Sequence, residues 1–365
     1  MFSGRPVSKR LLISVLTHAI FFISGIVLTY FAHAAHQDAV NNKINEALNN
    51  RLSSLSTGVT SRFALYKYGL YGLKGFIHGI GVNNLSYQTI SNYSNSRNYA
   101  QEFPGANGIG FIRKVNAENL AQFLKTAKSD RPNQIFKLNK LANESDEHFI
   151  IQYIFPEQSN SRALGLDIAS ESTRKKAALN SAINNQVQLS APITLIQADN
   201  KSQQGFLILL PVYKNISIPT DKTQRLEQLI GWTYSPLLIN NILDSLSQAD
   251  ENKLVISDIG NNVKTDFFSY GIKSNSADYQ LNKVIKVMGR TWEITLSASD
   301  TFIESLHLPS KYQAIVNGVF YTLICMFITL IIQLFFYRRA QRTQRRIIKA
   351  KQNKHMLQQT NLKLE

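Results

Sequence analysis

The seven histidines stand at positions 18, 33, 36, 78, 148, 307 and 355, and no two have the HExxH spacing that seats zinc on one helix face. His33 and His36 are three apart beside an apolar segment, a spacing that suits a metal pair or simply one interfacial face of a helix. His355 raises the question of a phosphoacceptor. A kinase box puts an acid directly after the histidine and a proline a few residues on, whereas here Met356 follows and no proline does. The single cysteine, Cys325, removes thiolate metal sites and internal disulfides. Gly105, Gly108 and Gly110 lack the GxGxxG order, no Gly-Lys-Ser/Thr phosphate loop occurs, and no nucleophile, base and orienting group can be assembled. Asp167 is the most informative acid of the central segment: its carboxylate can cap the helix expected to start near Ser172, or face a ligand. Arg174-Lys175-Lys176 opens that helix and suits an anionic ligand or a solvated helix end. The chemistry these residues support is recognition, so the reading is of a chain that is not itself an enzyme and carries no cofactor.

Two segments must hold these residues in place. Leu11 to Phe31 contains no Asp, Glu, Lys or Arg and matches the ~20 residues needed to cross hydrocarbon. A cleaved signal sequence is the alternative, because Ala32-His33-Ala34 has the small-x-small pattern. Ala314 to Tyr337 is likewise free of charge. Arg5, Lys9 and Arg10 precede the first segment, and Arg338, Arg339, Arg342, Arg345 and Arg346 follow the second. The positive-inside rule puts both basic flanks in the cytoplasm and residues 36–311 across the bilayer, in the periplasm of a bacterial inner membrane. The formal charge of +16 first suggests nucleic acid. Its distribution argues otherwise: 12 of the 40 Lys and Arg lie in 1–10 and 338–365, beside the apolar segments. The bilayer is the partner implied, and no nucleic-acid motif is present.

Between the spans, apolar residues from Val40 to Leu73 recur at spacings of three and four without proline, which predicts a helical stalk over 32–80 continuing from the first span. Such a stalk can pair with a second copy or pack along its own domain. Strands are expected over Asn107–Val115, Phe149–Phe155 and Gly205–Tyr213, with a helix over Ser172–Asn184. A second unit over 216–310 would hold strands at Leu229–Tyr234, Lys253–Ser257, Lys283–Val287 and Thr291–Ser297 and a helix at Leu237–Ser247. The class is therefore α+β, with two successive modules. After the second span, Ile347, Ala350, Lys354, Leu357, Asn361 and Leu364 fit a heptad seam, or a solvated basic tail.

Three stretches in order resemble CHASE domains: FPGANGIGFIRKV at 103–115; Tyr153, Pro156, ALGLD at 163–167 and Arg174; and LSAPI at 189–193 followed by Gly205-Phe206 and Pro211-Val212-Tyr213. The resemblance implies an extracytoplasmic sensor built of a long helix and two PAS-like modules, distal (81–215) and proximal (216–310), with the distal one binding a small ligand. Cytoplasmic outputs in that family include histidine kinases, diguanylate cyclases and phosphodiesterases. The family's cytokinin receptors place an acid where this chain has the Arg174 cluster, and threonines where it has Ser190 and Leu209, so cytokinin fits poorly. The expected pocket comprises Phe111, Tyr153, Ser190, Thr194 and Leu209, with Asp167 and Arg174 as polar candidates. The sequence thus describes a homodimeric transmembrane receptor for a small molecule, with an output domain or partner beyond its cytoplasmic helix (338–365). Two alternatives are the sensor part of a longer enzyme and a membrane adaptor binding a periplasmic protein.

Overall fold

In the computed structural model, which describes residues 6–141, 147–195, 203–247, 252–260, 263–271 and 279–361, one helix carries nearly the first quarter of the chain. This is α1 (Pro6–Ile80), followed by α2 (Tyr87–Asn95), α3 (Tyr99–Glu102), β1 (Ile109–Asn116) and α4 (Leu120–Ser129). Next come β2 (Asn139–Lys140), β3 (Glu147–Phe155), α5 (Glu157–Asn160), β4 (Leu166–Asp167) and α6 (Ser172–Asn184). The chain continues through β5 (Gln188–Leu189), β6 (Ile193–Leu195), β7 (Gln203–Tyr213), α7 (Lys222–Gln228), β8 (Leu229–Leu238) and α8 (Ile239–Ser247). It closes with β9 (Lys253–Asp258), β10 (Thr265–Tyr270), β11 (Gln280–Val287), β12 (Arg290–Ser297), α9 (Asp300–Ser305) and α10 (Gln313–Asn361).

Residues 46–306 form one compact unit. Its larger sheet has the order β2-β4-β3-β1-β8-β7-β5, with β6 also on β7; its smaller sheet has the order β10-β9-β12-β11. Leu229–Tyr234, expected to open a second unit, instead belongs to β8, which pairs with both β1 and β7 in the middle of the larger sheet. The reason lies in its side chains. β8 is buried along almost its whole length, and a strand covered on both faces sits at the centre of a sheet. The helix expected from Leu237 accordingly starts at Ile239, once the strand has ended.

One continuous core joins α1 to both sheets. Leu48, Leu52, Leu55, Val59, Phe63, Tyr66, Leu70, Leu73 and Ile77 supply the buried stripe of α1. They meet Phe111 and Tyr153 of the larger sheet and Trp292 and Ile294 of the smaller one. At the junction the Trp292 ring stacks on Phe206 (5.2 Å) and receives Phe63 edge-on (5.1 Å), while Phe267 packs against both Phe206 (5.1 Å) and Trp292 (4.9 Å). The opposite face of the larger sheet has its own core, in which Ala177, Ala178 and Ala182 of α6 pack on Ile112, Phe149, Leu209, Trp232 and Tyr234. The small alanines let the helix lie close, and Trp232 Nε1 and Tyr213 Oη donate to carbonyls of that helix, Ala178 and Ala182.

Residues 1–45 and 307–365 form the other unit. Two stretches in it are long and apolar enough to cross a membrane, and their side chains from Leu12 to Phe31 and from Ile315 to Tyr337 are largely exposed. The two helices meet along small and polar residues, as helices in lipid do. A Cβ on Gly25 would stand 2.4 Å from Thr322, and one on Gly318 would stand 2.3 Å from Thr29. Nearer the cytoplasm Gln333 bonds to Ser14 and Thr17. On the cytoplasmic stretch of α10, Ile347, Ala350, Lys354 and Leu357 are all exposed, and Leu364 lies outside the described residues.

Candidate functional site

The seven residues singled out in the sequence do not converge. Phe111 and Tyr153 are in register across β1 and β3 and lie on the α1 side of the larger sheet. Leu209 is on the α6 side. Ser190 is fully committed to β7: its N–H donates to the Leu207 carbonyl (2.9 Å), and its Oγ accepts from Leu207 N–H (3.0 Å). The Thr194 side chain is exposed, while its carbonyl accepts from Arg174 Nη2 (2.7 Å). The Arg174 side chain is buried, and it pairs with Glu171 as well. Burial pulls its pKa down from arginine's usual value, against the opposing charge of Glu171. Arg174 is therefore part of the packing of α6 and not an open basic cluster.

Asp167 is buried and fully engaged. Its Oδ1 accepts from Phe149 N–H (2.9 Å) and Ala169 N–H (3.0 Å), and its Oδ2 lies 2.7 Å from His148 Nδ1. It caps the single turn at Ile168–Ser170. The cap of α6 is Glu171, whose carboxylate accepts from Thr173 and Arg174 N–H. Burial alone would raise the Glu171 pKa; the two backbone bonds and the Arg174 charge outweigh it and hold the carboxyl below the usual glutamate value.

A buried polar layer lies instead beside Tyr153, where α2, α4 and the β3–α5 turn meet. Tyr153 Oη donates to Asp130 Oδ2 (2.7 Å), which also accepts from Tyr87 N–H (2.9 Å). Gln152 Nε2 donates to Tyr153 Oη (3.0 Å), and Gln152 Oε1 accepts from Arg113 Nε (3.0 Å). Gln152 reaches this layer because the β1–β3 register skips a residue between Phe111 and Ile112, where β3 bulges. The Arg113 guanidinium lies over the Phe111 ring, 5.0 Å from its centroid. Burial, first, and the neighbouring Asp130 both push the Tyr153 hydroxyl well above the ordinary tyrosine pKa.

Arg131 closes the layer. The residue is 3% exposed, its Nη2 pairs with Glu157, and its guanidinium lies 4.9 Å from the centroid of the Tyr87 ring. Its Nε and Nη1 are buried and meet no hydrogen-bond acceptor among the described residues. An unmet buried donor costs roughly 1–3 kcal/mol, and more on a charged group. An open groove of about 520 Å³ is lined by Ser94 to Tyr99 of the α2–α3 connection and by Phe155 and Pro156, which precede Glu157 in the chain; the hydrogen-bonding side chains of the layer do not line it. Of this layer the sequence pointed only to Tyr153 and its neighbour Phe111. The signal for the rest was Gln152, a lone amide inside the apolar run FIIQYIF; Asp130-Arg131 carried none beyond two charges before a proline.

A family model described as the CHASE domain matches residues 83–268, just over half of the chain. No curated protein matches it. Among solved structures, the periplasmic sensory domain of the Campylobacter jejuni chemoreceptor Tlp1 is similar at a TM-score of 0.45 and 11% identity, covering 73% of this chain and 98% of that one.

Proposed function

The chain belongs to the CHASE-domain family, and on that premise we propose that a small molecule bound in the membrane-distal part of its outer unit shifts α1 and thereby signals through the membrane. CHASE domains are non-catalytic sensory modules, and this one lies in the periplasm between two membrane-spanning helices of a multi-pass inner-membrane protein. The observation that carries the reading is the double membership of α1. One uninterrupted helix holds both the first span and the stripe Leu48–Ile77, which packs in the same core as β1, β3, β7 and the smaller sheet. A ligand that favours one packing of that core over another thereby favours one position of α1, which is what a signal requires.

In this reading the larger sheet with α2, α4 and α6 is a distal PAS-like module ending near Leu238, and the smaller sheet with α9 is a proximal one. The binding residues are those of the buried layer beside Tyr153, while Asp167, Arg174 and Ser190 keep the module's shape. The active form is a homodimer. Its support is the outer face of α1, where Leu65, Tyr68 and Tyr71 are exposed and Gly75 and Gly79 have open space above them. Two glycines inside a helix cost about 1 kcal/mol each relative to alanine, and close approach of a second helix would offset that. The stretch after Tyr337 would pair as a coiled coil and pass the movement to an output domain or partner.

Disulfide trapping in membranes tests this. With Cys325 replaced by serine, a cysteine at Tyr68 or Gly75 should form cross-linked dimers, and one at the buried Leu70 should not. Equal trapping at all three positions, or none at any, would remove the dimeric stalk from the mechanism.

A further inference from the structure

We propose that Arg131 is the anchor of a binding site for a small carboxylate. This deepens the receptor reading given above and rests on it for the consequence of binding, not for the binding itself. Three observations converge on the one side chain. It is almost completely buried, yet two of its three guanidinium nitrogens have no protein acceptor among the described residues. Its third nitrogen is already paired with a carboxylate, that of Glu157, so the edge of this guanidinium is shaped for such a group. One of its faces is covered by the Tyr87 ring. With that face closed, the free N–H groups are left to take in-plane acceptors, such as the oxygens of a small oxyanion.

The surroundings fit a ligand bearing a single negative charge. Arg113 and Arg131 are balanced by Asp130 and Glu157 within the layer, so one further negative charge upsets little and a multiply charged anion would be opposed. The groove lined by Phe155 and Pro156 ends one residue before Glu157, the carboxylate that Arg131 already holds. Asp130 follows directly on α4 and holds both Tyr153 of β3 and the start of α2. Filling the Arg131 site would therefore be felt at once by α2, α4 and the sheet.

The test uses the full chain in lipid nanodiscs, with thermal unfolding followed by the fluorescence of its two tryptophans, Trp232 and Trp292. Acetate and succinate are compared with chloride and inorganic phosphate at matched ionic strength. Acetate should raise the unfolding temperature above that in chloride, succinate should do so less as its second charge is opposed, and phosphate should resemble chloride. Arg131→Met should weaken acetate binding roughly tenfold or more, as expected for loss of charge-assisted bonds. Should Arg131→Met fail to fold, Glu157→Gln serves instead: it frees Arg131 from its internal carboxylate and should tighten acetate binding. The proposal is overturned if acetate acts no differently from chloride, if phosphate stabilises as well as acetate, if Arg131→Met keeps the acetate shift, or if Glu157→Gln leaves or weakens it. Any of these results would leave the stalk cross-linking untouched, so the site and the receptor reading fail separately.

Discussion

Phe63→Ala would cut the one ring of α1 that reaches the aromatic junction between the two sheets. Phe63 is 2% exposed, edge-on to Trp292 at 5.1 Å and to Tyr66 at 5.9 Å. Truncating a buried phenylalanine costs about 3–5 kcal/mol, and each edge-to-face pair accounts for roughly 0.5–1.5 kcal/mol beyond the buried area. A loss of about 4 kcal/mol is therefore expected, a large share of the 5–15 kcal/mol typical of a folded domain. Urea unfolding of the detergent-solubilised full chain reads this cleanly, because both tryptophans lie between the spans and the membrane helices contribute none. The midpoint should fall with little change in slope. A cycle with Trp292→Leu should show a coupling of about 1 kcal/mol, since each single change already removes the ring pair. If Phe63→Ala costs less than about 1 kcal/mol, or the two changes simply add, α1 is not held to the sheets through this junction.

Three further outcomes follow from the same geometry. Asp167→Ala strips the partners from two buried N–H groups and from His148, and should lower stability by about 3–5 kcal/mol in the same urea assay; Asp167→Asn, which keeps one acceptor, should lose less. Glu171 has a lowered pKa in the fold, so its contribution is complete above the unfolded value of 4.5 and disappears as pH falls through the lower folded value. Glu171→Gln should accordingly be less stable than the parent at neutral pH by about 1 kcal/mol, with the two curves converging in acid; a constant gap at every pH would show that the carboxylate charge is not what matters. Gly110→Ala places a Cβ 2.1 Å from the Tyr153 carbonyl oxygen, so β1 and β3 must part. The variant should lose at least about 1–3 kcal/mol, and an unchanged unfolding midpoint would mean that the strands are less tightly apposed than described.

What could be read from the sequence was whatever has a period or a charge boundary. The spacing of Leu48 to Leu73 announced the stalk, and the basic residues beside two uncharged segments announced the membrane. Ser172–Asn184 has the expected bounds, but its cap is Glu171 and not the Asp167 that the sequence suggested, and Asn185 (φ 50°) leaves it in a left-handed turn. At Gly105 the backbone has φ +87° and the Asn241 carbonyl stands 2.6 Å from where a Cβ would be, so only glycine fits there. Partnership between strands was not legible, since Ile112 of β1 and its partner Trp232 of β8 stand 120 residues apart and β8 lies nearer in sequence to the second sheet than to β1. The site failed for the same reason. Which face a strand residue occupies depends on register, and the bulge in β3 sends Tyr153 to the α1 side, away from Leu209. Arg131 acquires meaning only when Tyr87 and Glu157 have closed around it.

The position of β8 bears on how the protein is made. As the chain emerges on the far side of the membrane, β1, β3 and β7 are all delivered before residues 229–238, yet β8 is the piece that seats between β1 and β7. Until it arrives, two strands wait with bare edges, open to capture by neighbouring nascent chains. A gene truncated or fused anywhere before Leu238 should thus yield aggregates or protease fragments instead of a smaller working module, and periplasmic chaperones have their clearest substrate in that interval.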